Sequence, residues 1–270
     1  MRLGISNIAW GKRLDESLLQ FLRHEGIAGL ELAPGLIPPV ASRAFPAQFR
    51  GVLASCGLEM IGFHSLLYER RDLQVAQLAD HGVLLDYLQA QAQYCRVLGG
   101  RFIVFGSPQN RQLSGLPPAA AWAVMLEFFK RLADVALAAG VECLIEPLPQ
   151  AELVRNHVDG IRLIQSVASP ALRLHLDVRA MVEAGGTAAE VTSQMSVLRH
   201  VHTGGPGLRF LDDGDGLPHR EYAAALRAAG YHGFVSLEMA RREDGPDFRR
   251  LSMVMACARR IYGDPEQVRA

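Results

Sequence analysis

Lysine is almost missing from this chain. Of 28 basic residues only Lys12 and Lys130 are lysines, one in an early loop and one inside a helical run, so neither is placed on a strand where it could form a Schiff base with a carbonyl substrate. Cysteine is also scarce. Cys56, Cys95, Cys143 and Cys257 are scattered through apolar segments without a CxxC pair, which argues against a zinc-thiolate centre and predicts buried free thiols in a reducing compartment. Net charge is zero, with 28 acidic residues against the 28 basic ones; with no block of like charge, nothing draws the chain to nucleic acid or an anionic membrane. No apolar run reaches the roughly 18 residues of a membrane span, and MRLGISNIAW reads as a strand rather than a charged leader before an apolar core. A cytoplasmic protein is expected.

What is present fits a globular fold. Hydrophobic residues make up 49% and charged residues 21% of 270 positions, and a barrel of strands and helices fills about 250 residues as one domain, here 1–270. Eight β-like runs recur: residues 3–9, 27–33, 58–64, 101–106, 141–147, 172–178, 198–203 and 232–239. Helical stretches separate them. Pro118 to Ala139 carries apolar residues at three-to-four spacing, starts on proline and is followed by Gly140, and 80–97 is patterned similarly. Strand alternating with helix eight times predicts a (β/α)8 TIM barrel. An open doubly wound sheet is the alternative, but neither GxGxxG nor GxxxxGK[ST] follows a strand to support it. The Pro/Gly cluster at 34–39 and the segment 107–118 read as enlarged loops.

In such a barrel the chemistry is built at the C-terminal strand ends. Glu146 ends the fifth run, Asp177 the sixth, His202 the seventh and Glu238 the eighth. Taken singly, each carboxylate is as well explained by a helix cap or an ion pair. Together they put three carboxylates and an imidazole on one rim, an arrangement that burial and like charge penalise unless a cation neutralises it. One divalent metal ion is expected, and with oxygen and nitrogen donors but no sulfur, Mn²⁺, Mg²⁺, Co²⁺ and Zn²⁺ all stay open. His64 and Phe105, at the ends of the third and fourth runs, are candidates to line the pocket, His64 being equally explicable as a core histidine. His200 and His175 share faces with His202 and Asp177 and read as packing or supporting residues. Arg179 and Arg209 follow the sixth and seventh runs and could grip an anionic substrate, although a solvated arginine is the commoner case. The glycines of HTGGPG, 202–207, permit close backbone approach to a ligand.

The segments VFGSPQNR at 104–111, IEP at 145–147, LRLHLDVRAM at 172–181, HVH at 200–202 and the closing block GLPHREYAAALRAAGYHGFVSLEM at 216–239 resemble the xylose-isomerase-like barrels. The likeness is to the sugar phosphate isomerases/epimerases in particular, and it runs from the first strand to the eighth helix. It implies that Glu146, Asp177, His202 and Glu238 hold the metal, that Glu146 and Glu238 act as acid and base, and that Glu152 and Asn156 stand where ketose epimerases bind substrate. The sequence departs from that pattern at Ala180, where a substrate-binding histidine is usual, and at Pro149, Gln150 and Ala151, which replace an Asn-Arg-aromatic run.

The implied reaction is isomerisation or epimerisation of a small sugar-like polyol or keto compound through an enediolate. Metal-dependent dehydration of an inosose-like substrate and a non-catalytic metal-binding barrel are the alternatives. Related barrels often form homodimers or homotetramers, and the sequence leaves both open.

Overall fold

A computed structural model of the chain describes residues 1–39, 44–241 and 245–263. Eight strands, β1 (Arg2–Ser6), β2 (Gly29–Leu32), β3 (Glu59–Phe63), β4 (Phe102–Phe105), β5 (Glu142–Ile145), β6 (Leu172–Asp177), β7 (Leu198–Thr203) and β8 (Phe234–Leu237), pair in parallel with their sequence neighbours. β8 closes on β1. The fold is the (β/α)8 barrel expected from the alternation. Nine α-helices surround it among the described residues: α1 (Glu16–His24), α2 (Phe45–Ser55), α3 (His81–Leu98), α4 (Pro118–Ala139), α5 (His157–Val167), α6 (Val178–Glu183), α7 (Val191–Gln194), α8 (His219–Ala228) and α9 (Phe248–Tyr262).

Local chemistry sets these boundaries. The side chain of Asp15 accepts from Leu18 N to start α1, and Asn156 accepts from Asp159 N to start α5. α4 begins on Pro118 and stops where Gly140 takes the left-handed conformation at φ 71°. β1 is shorter than its apolar run because the Ser6 hydroxyl accepts from Ile8 N and turns the chain into a 3₁₀ segment. The enlarged loops expected at 34–39 and 107–118 each contain a short 3₁₀ turn, Pro34–Leu36 and Pro108–Asn110. No helix of the described residues is long and apolar enough to cross a membrane, and all four cysteines are buried and free.

Helix stripes pack against the outside of the barrel. Phe128 and Phe129 of α4 are fully buried with their ring centroids 6.0 and 5.1 Å from that of Phe105, each such side chain contributing about 1.5–3 kcal/mol of burial. Inside, an apolar plug of Ile61, Phe102, Val104, Leu144 and Phe234 fills one end. Gly62 makes room for it, since a Cβ there would lie 2.3 Å from the Phe102 ring. That ring in turn lies 4.6 Å from His200 between centroids. The interior thus changes from hydrocarbon to imidazole toward the strand ends that carry the site.

Candidate metal centre

Strand register brings the four sequence-selected residues to one level. Asp177 pairs with His202 across β6 and β7, two residues beyond the pair His175 and His200. Glu146 and Glu238 each follow their strand by one residue but stay tied to the neighbouring one, through Glu146 N to Phe105 O and Glu238 N to Thr203 O. Donor atoms of Glu146, Asp177, His202 and Glu238 all lie within 4.8 Å of one another, and all four residues are buried. Two glycines allow this convergence. A Cβ at Gly106 would lie 2.2 Å from Glu146 Oε2, and one at Gly204 would lie 2.3 Å from Glu238 O. Among the 202–207 glycines, Gly204 makes its close approach to the Glu238 backbone rather than to a ligand.

The electrostatics are those of a site built for a cation. Burial and the nearby Glu238 and Asp177 carboxylates raise Glu146 to about 8. Asp177 is raised by burial and by Glu238, although Arg179 Nη2, 3.2 Å from Asp177 Oδ2, pulls the other way. Burial acts to raise Glu238 too, but His202 and His64 outweigh it and hold that carboxylate well below its usual range. Burial acts to lower His202, and Glu31 and Glu238 overturn it, so the imidazolium is favoured. His202 Nδ1 is buried without a hydrogen-bond partner and lies 3.5 Å from Glu238 Oε2. An orphaned nitrogen among three crowded carboxylates fits a divalent ion, which would satisfy the nitrogen and neutralise the acids together.

If the quartet holds an ion, its affinity would depend on pH with a definite sign. Glu146 must lose its proton to ligate, so below about 8 the ion competes with that proton. Protonated His202 adds to the slope because it too must release Nδ1. Titration calorimetry of metal-free protein with Mn²⁺ should show affinity falling at least about tenfold per pH unit between pH 7.5 and 6. A flat profile would show that no ligand holds a proton there.

A cavity of ≈ 350 Å³ opens above the quartet. Glu146 and Glu238 line it together with His64 and Arg179, whereas Asp177 and His202 do not. His64 is held on both sides, its Nε2 by Ser6 Oγ and its Nδ1 by Glu238 Oε1 at 3.1 Å. Arg179 also reaches Glu183, at 3.5 Å. Gln150 lines the cavity and donates to the same Glu183 carboxylate.

Three other candidates are placed elsewhere. Phe105 is fully buried against α4, Glu152 is exposed with its carboxylate accepting from Leu113 N, and Arg209 is exposed with Nε donating to Pro206 O. Asn156 is the cap of α5. Sequence reasoning missed Glu31, a fully buried carboxylate of β2 that contacts both His200 and His202. It also missed Arg111, fully buried beside Glu146. The charged residue inside the apolar run LELA was the available signal for the first, and the match at VFGSPQNR covered the second.

The model of one protein family, described as xylose isomerase-like TIM barrel, matches residues 19–256. The chain belongs to the xylose isomerase-like TIM barrel family. Among solved structures, this xylose isomerase-like barrel is similar to D-psicose 3-epimerase from Clostridium cellulolyticum H10, with a TM-score of 0.76 and 17% identity over 98% of this chain and 100% of that one. An L-ribulose 3-epimerase matches with a TM-score of 0.76 and 22% identity over 94% and 86% of the two chains. A 3-keto-D-glucoside 4-epimerase from E. coli matches with a TM-score of 0.77 and 18% identity over 95% and 100%. A comparison with curated protein sequences finds no match.

Proposed function

We propose that this barrel is a divalent-metal-dependent carbohydrate epimerase or isomerase in which Glu146 and Glu238 move the proton. The observation that carries this reading is a division within the quartet: the two glutamates line the cavity, and Asp177 and His202 are not among the residues that line it. The same two carboxylates have environments that push their proton affinities apart, Glu146 upward and Glu238 downward. In the metal-free site the two carboxylates thus differ in how tightly they hold a proton, and with an ion bound both would be ionised ligands. The epimerase names of the structural neighbours supply the substrate class, a small ketose or keto-sugar.

A divalent ion held by Glu146, Asp177, His202 and Glu238 would supply Lewis acidity to the substrate carbonyl and its neighbouring hydroxyl. Glu238, ionised and oriented by His64, removes the proton from the carbon next to the carbonyl, leaving an enediolate. Glu146, ionised as a ligand, takes up a proton from solvent and returns it to the enediolate, and the proton on Glu238 passes to solvent before the next turnover. Delivery to the opposite face of the same carbon gives the epimer, and delivery to the neighbouring carbon, with the hydroxyl proton passing between the two oxygens, gives the isomer. His64 and Arg179 line the space a sugar would fill, and Arg179 offers a cation to an anionic or hydroxyl-rich substrate.

The direct test is proton exchange. Protein loaded with Mn²⁺ or Co²⁺ is incubated in D₂O with a panel including D-psicose, D-tagatose and L-ribulose, and C–H loss is followed by NMR. Deuterium entering at the carbon next to the carbonyl of at least one sugar, with none for the metal-free protein, is expected. Stoichiometric metal without exchange across a broad ketose and polyol panel would leave a metal-binding barrel and sink the enzyme reading.

A further inference from the structure

Behind the quartet, Glu31 joins two histidines. Its carboxylate is fully buried on β2, where the register with β3 shifts between Leu30 and Glu31, an irregularity of the kind that re-aims a side chain. Oε2 lies 2.9 Å from His200 Nε2, and both carboxylate oxygens lie 2.9 Å from His202 Nε2. An ionised carboxylate can only accept hydrogen bonds. Both imidazoles must therefore donate from Nε2, which leaves Nδ1 of His202 as the nitrogen able to offer a lone pair. That nitrogen is the partnerless one beside Glu238.

We propose that Glu31 is a positioning residue for the metal centre: it fixes the Nε2–H tautomer and the ring orientation of His202, so that Nδ1 is presented to the cation. The inference rests on the metal reading of the quartet. Glu31 reaches the ion's surroundings only through His202, and by holding His200 with the same carboxylate it keeps a second ring from rotating into the quartet. The negative charge also makes His202 a stronger donor than a neutral partner would. Glu31→Gln nearly preserves shape but replaces one acceptor oxygen with an N–H donor. The introduced amide would face an imidazole Nε2 with a hydrogen, favouring the tautomer whose Nδ1 carries the proton.

The test compares Mn²⁺ affinity, by calorimetry, and the visible spectrum of the Co²⁺ form in wild type, Glu31→Gln and His200→Phe. Glu31→Gln is expected to lose about 10–100-fold in Mn²⁺ affinity and to change the Co²⁺ absorption bands. His200→Phe, which leaves the contact between Glu31 and His202 in place, should bind within about threefold of wild type, since removing this non-ligand changes nothing at Nδ1. Should Glu31→Gln not fold, ¹⁵N NMR of the wild-type histidines decides, the expectation being a protonated Nε2 on His202 and a Zn²⁺-induced shift at Nδ1. A Zn²⁺ shift at Nε2 overturns the proposal. So does binding of two ions per chain, which would turn the nitrogens of His175, His200 and His202, within 4.8 Å of one another, into ligands. If wild type binds no ion, the metal reading falls and takes this inference with it; if wild type binds and Glu31→Gln binds equally well, only the role of Glu31 falls.

Discussion

Replacing either cavity-facing glutamate with glutamine is expected to cut the rate of C–H exchange by about 10²–10⁴-fold, because each substitution removes a proton-transferring group. The double variant should lose little more than the worse single one, since residues acting as a unit are not additive. Stability should separate the two. In the metal-free protein Glu146 is raised to about 8, above its value in an unfolded chain. Its folded form therefore favours the proton, and the associated stability is lost as pH rises toward 8. Glu146→Gln carries no charge to bury, so its thermal midpoint without metal should equal or exceed that of wild type at pH 8.5. Glu238 has the opposite sign. Its carboxylate is depressed by His202 and His64 and contributes stability above its unfolded value, and its change to glutamine leaves His64 without its charged partner and His202 with Glu31 alone. Glu238→Gln should unfold at a lower temperature than wild type at neutral pH. The pairing of equal activity loss with opposite stability shifts is checked by exchange NMR and calorimetry on the same preparations. A Glu146→Gln protein that keeps exchanging protons would remove that residue from the chemistry.

The four quartet positions are legible in the sequence because barrel topology converts sequence position into height. A polar residue ending an apolar strand run has little choice but to reach the rim, and Asp177 and His202 do so in direct register. Glu31 obeyed a different logic. It sits one residue before the end of β2, where alternation along the strand predicts a face but not a neighbour. Its partners are 169 and 171 residues away in sequence. The register shift at Leu30/Glu31, and another between Leu174 and His175, depend on how adjacent strands twist together. A local pattern does not encode either one. Phe105 shows the same limit in reverse: its strand-end position suggested the pocket, but the neighbouring Phe128 and Phe129 rings of α4 surround it. Height on the barrel was legible, while facing inward or outward at the last strand residue was settled by helix packing.

Arg111 is where the fold and the site depend on one side chain, and its loss should be the most destabilising single change outside the apolar core. The guanidinium is fully buried, so much so that burial lowers it to about 10. It makes four bonds to backbone carbonyls: Nε to Gly106 O at 2.9 Å, Nη1 to Leu153 O at 3.1 Å and to Val154 O at 2.9 Å, and Nη2 to Glu146 O at 2.8 Å. The first and last of these carbonyls follow β4 and β5, and the other two belong to the loop after β5. In that loop Val154 holds φ at 59°, a conformation that a β-branched residue keeps only when its surroundings over-determine it. Arg111→Met preserves much of the volume but strands four carbonyls. At about 1–3 kcal/mol for each buried acceptor left unmet, offset where water enters, the expected loss is about 3–5 kcal/mol, the range seen when one partner of a buried charged network is removed. The thermal midpoint should fall by about 8–15 °C for a chain of this size. Arg111→Lys should recover only part of that loss, because an ammonium has three donors and no planar fork to span carbonyls on two loops. Mn²⁺ affinity should fall alongside stability, since Arg111 Nη2 holds the peptide oxygen of Glu146 itself. Thermal unfolding and calorimetric Mn²⁺ titration of both variants check these outcomes. An Arg111→Met protein melting within 2 °C of wild type would mean that water or loop rearrangement can replace all four bonds.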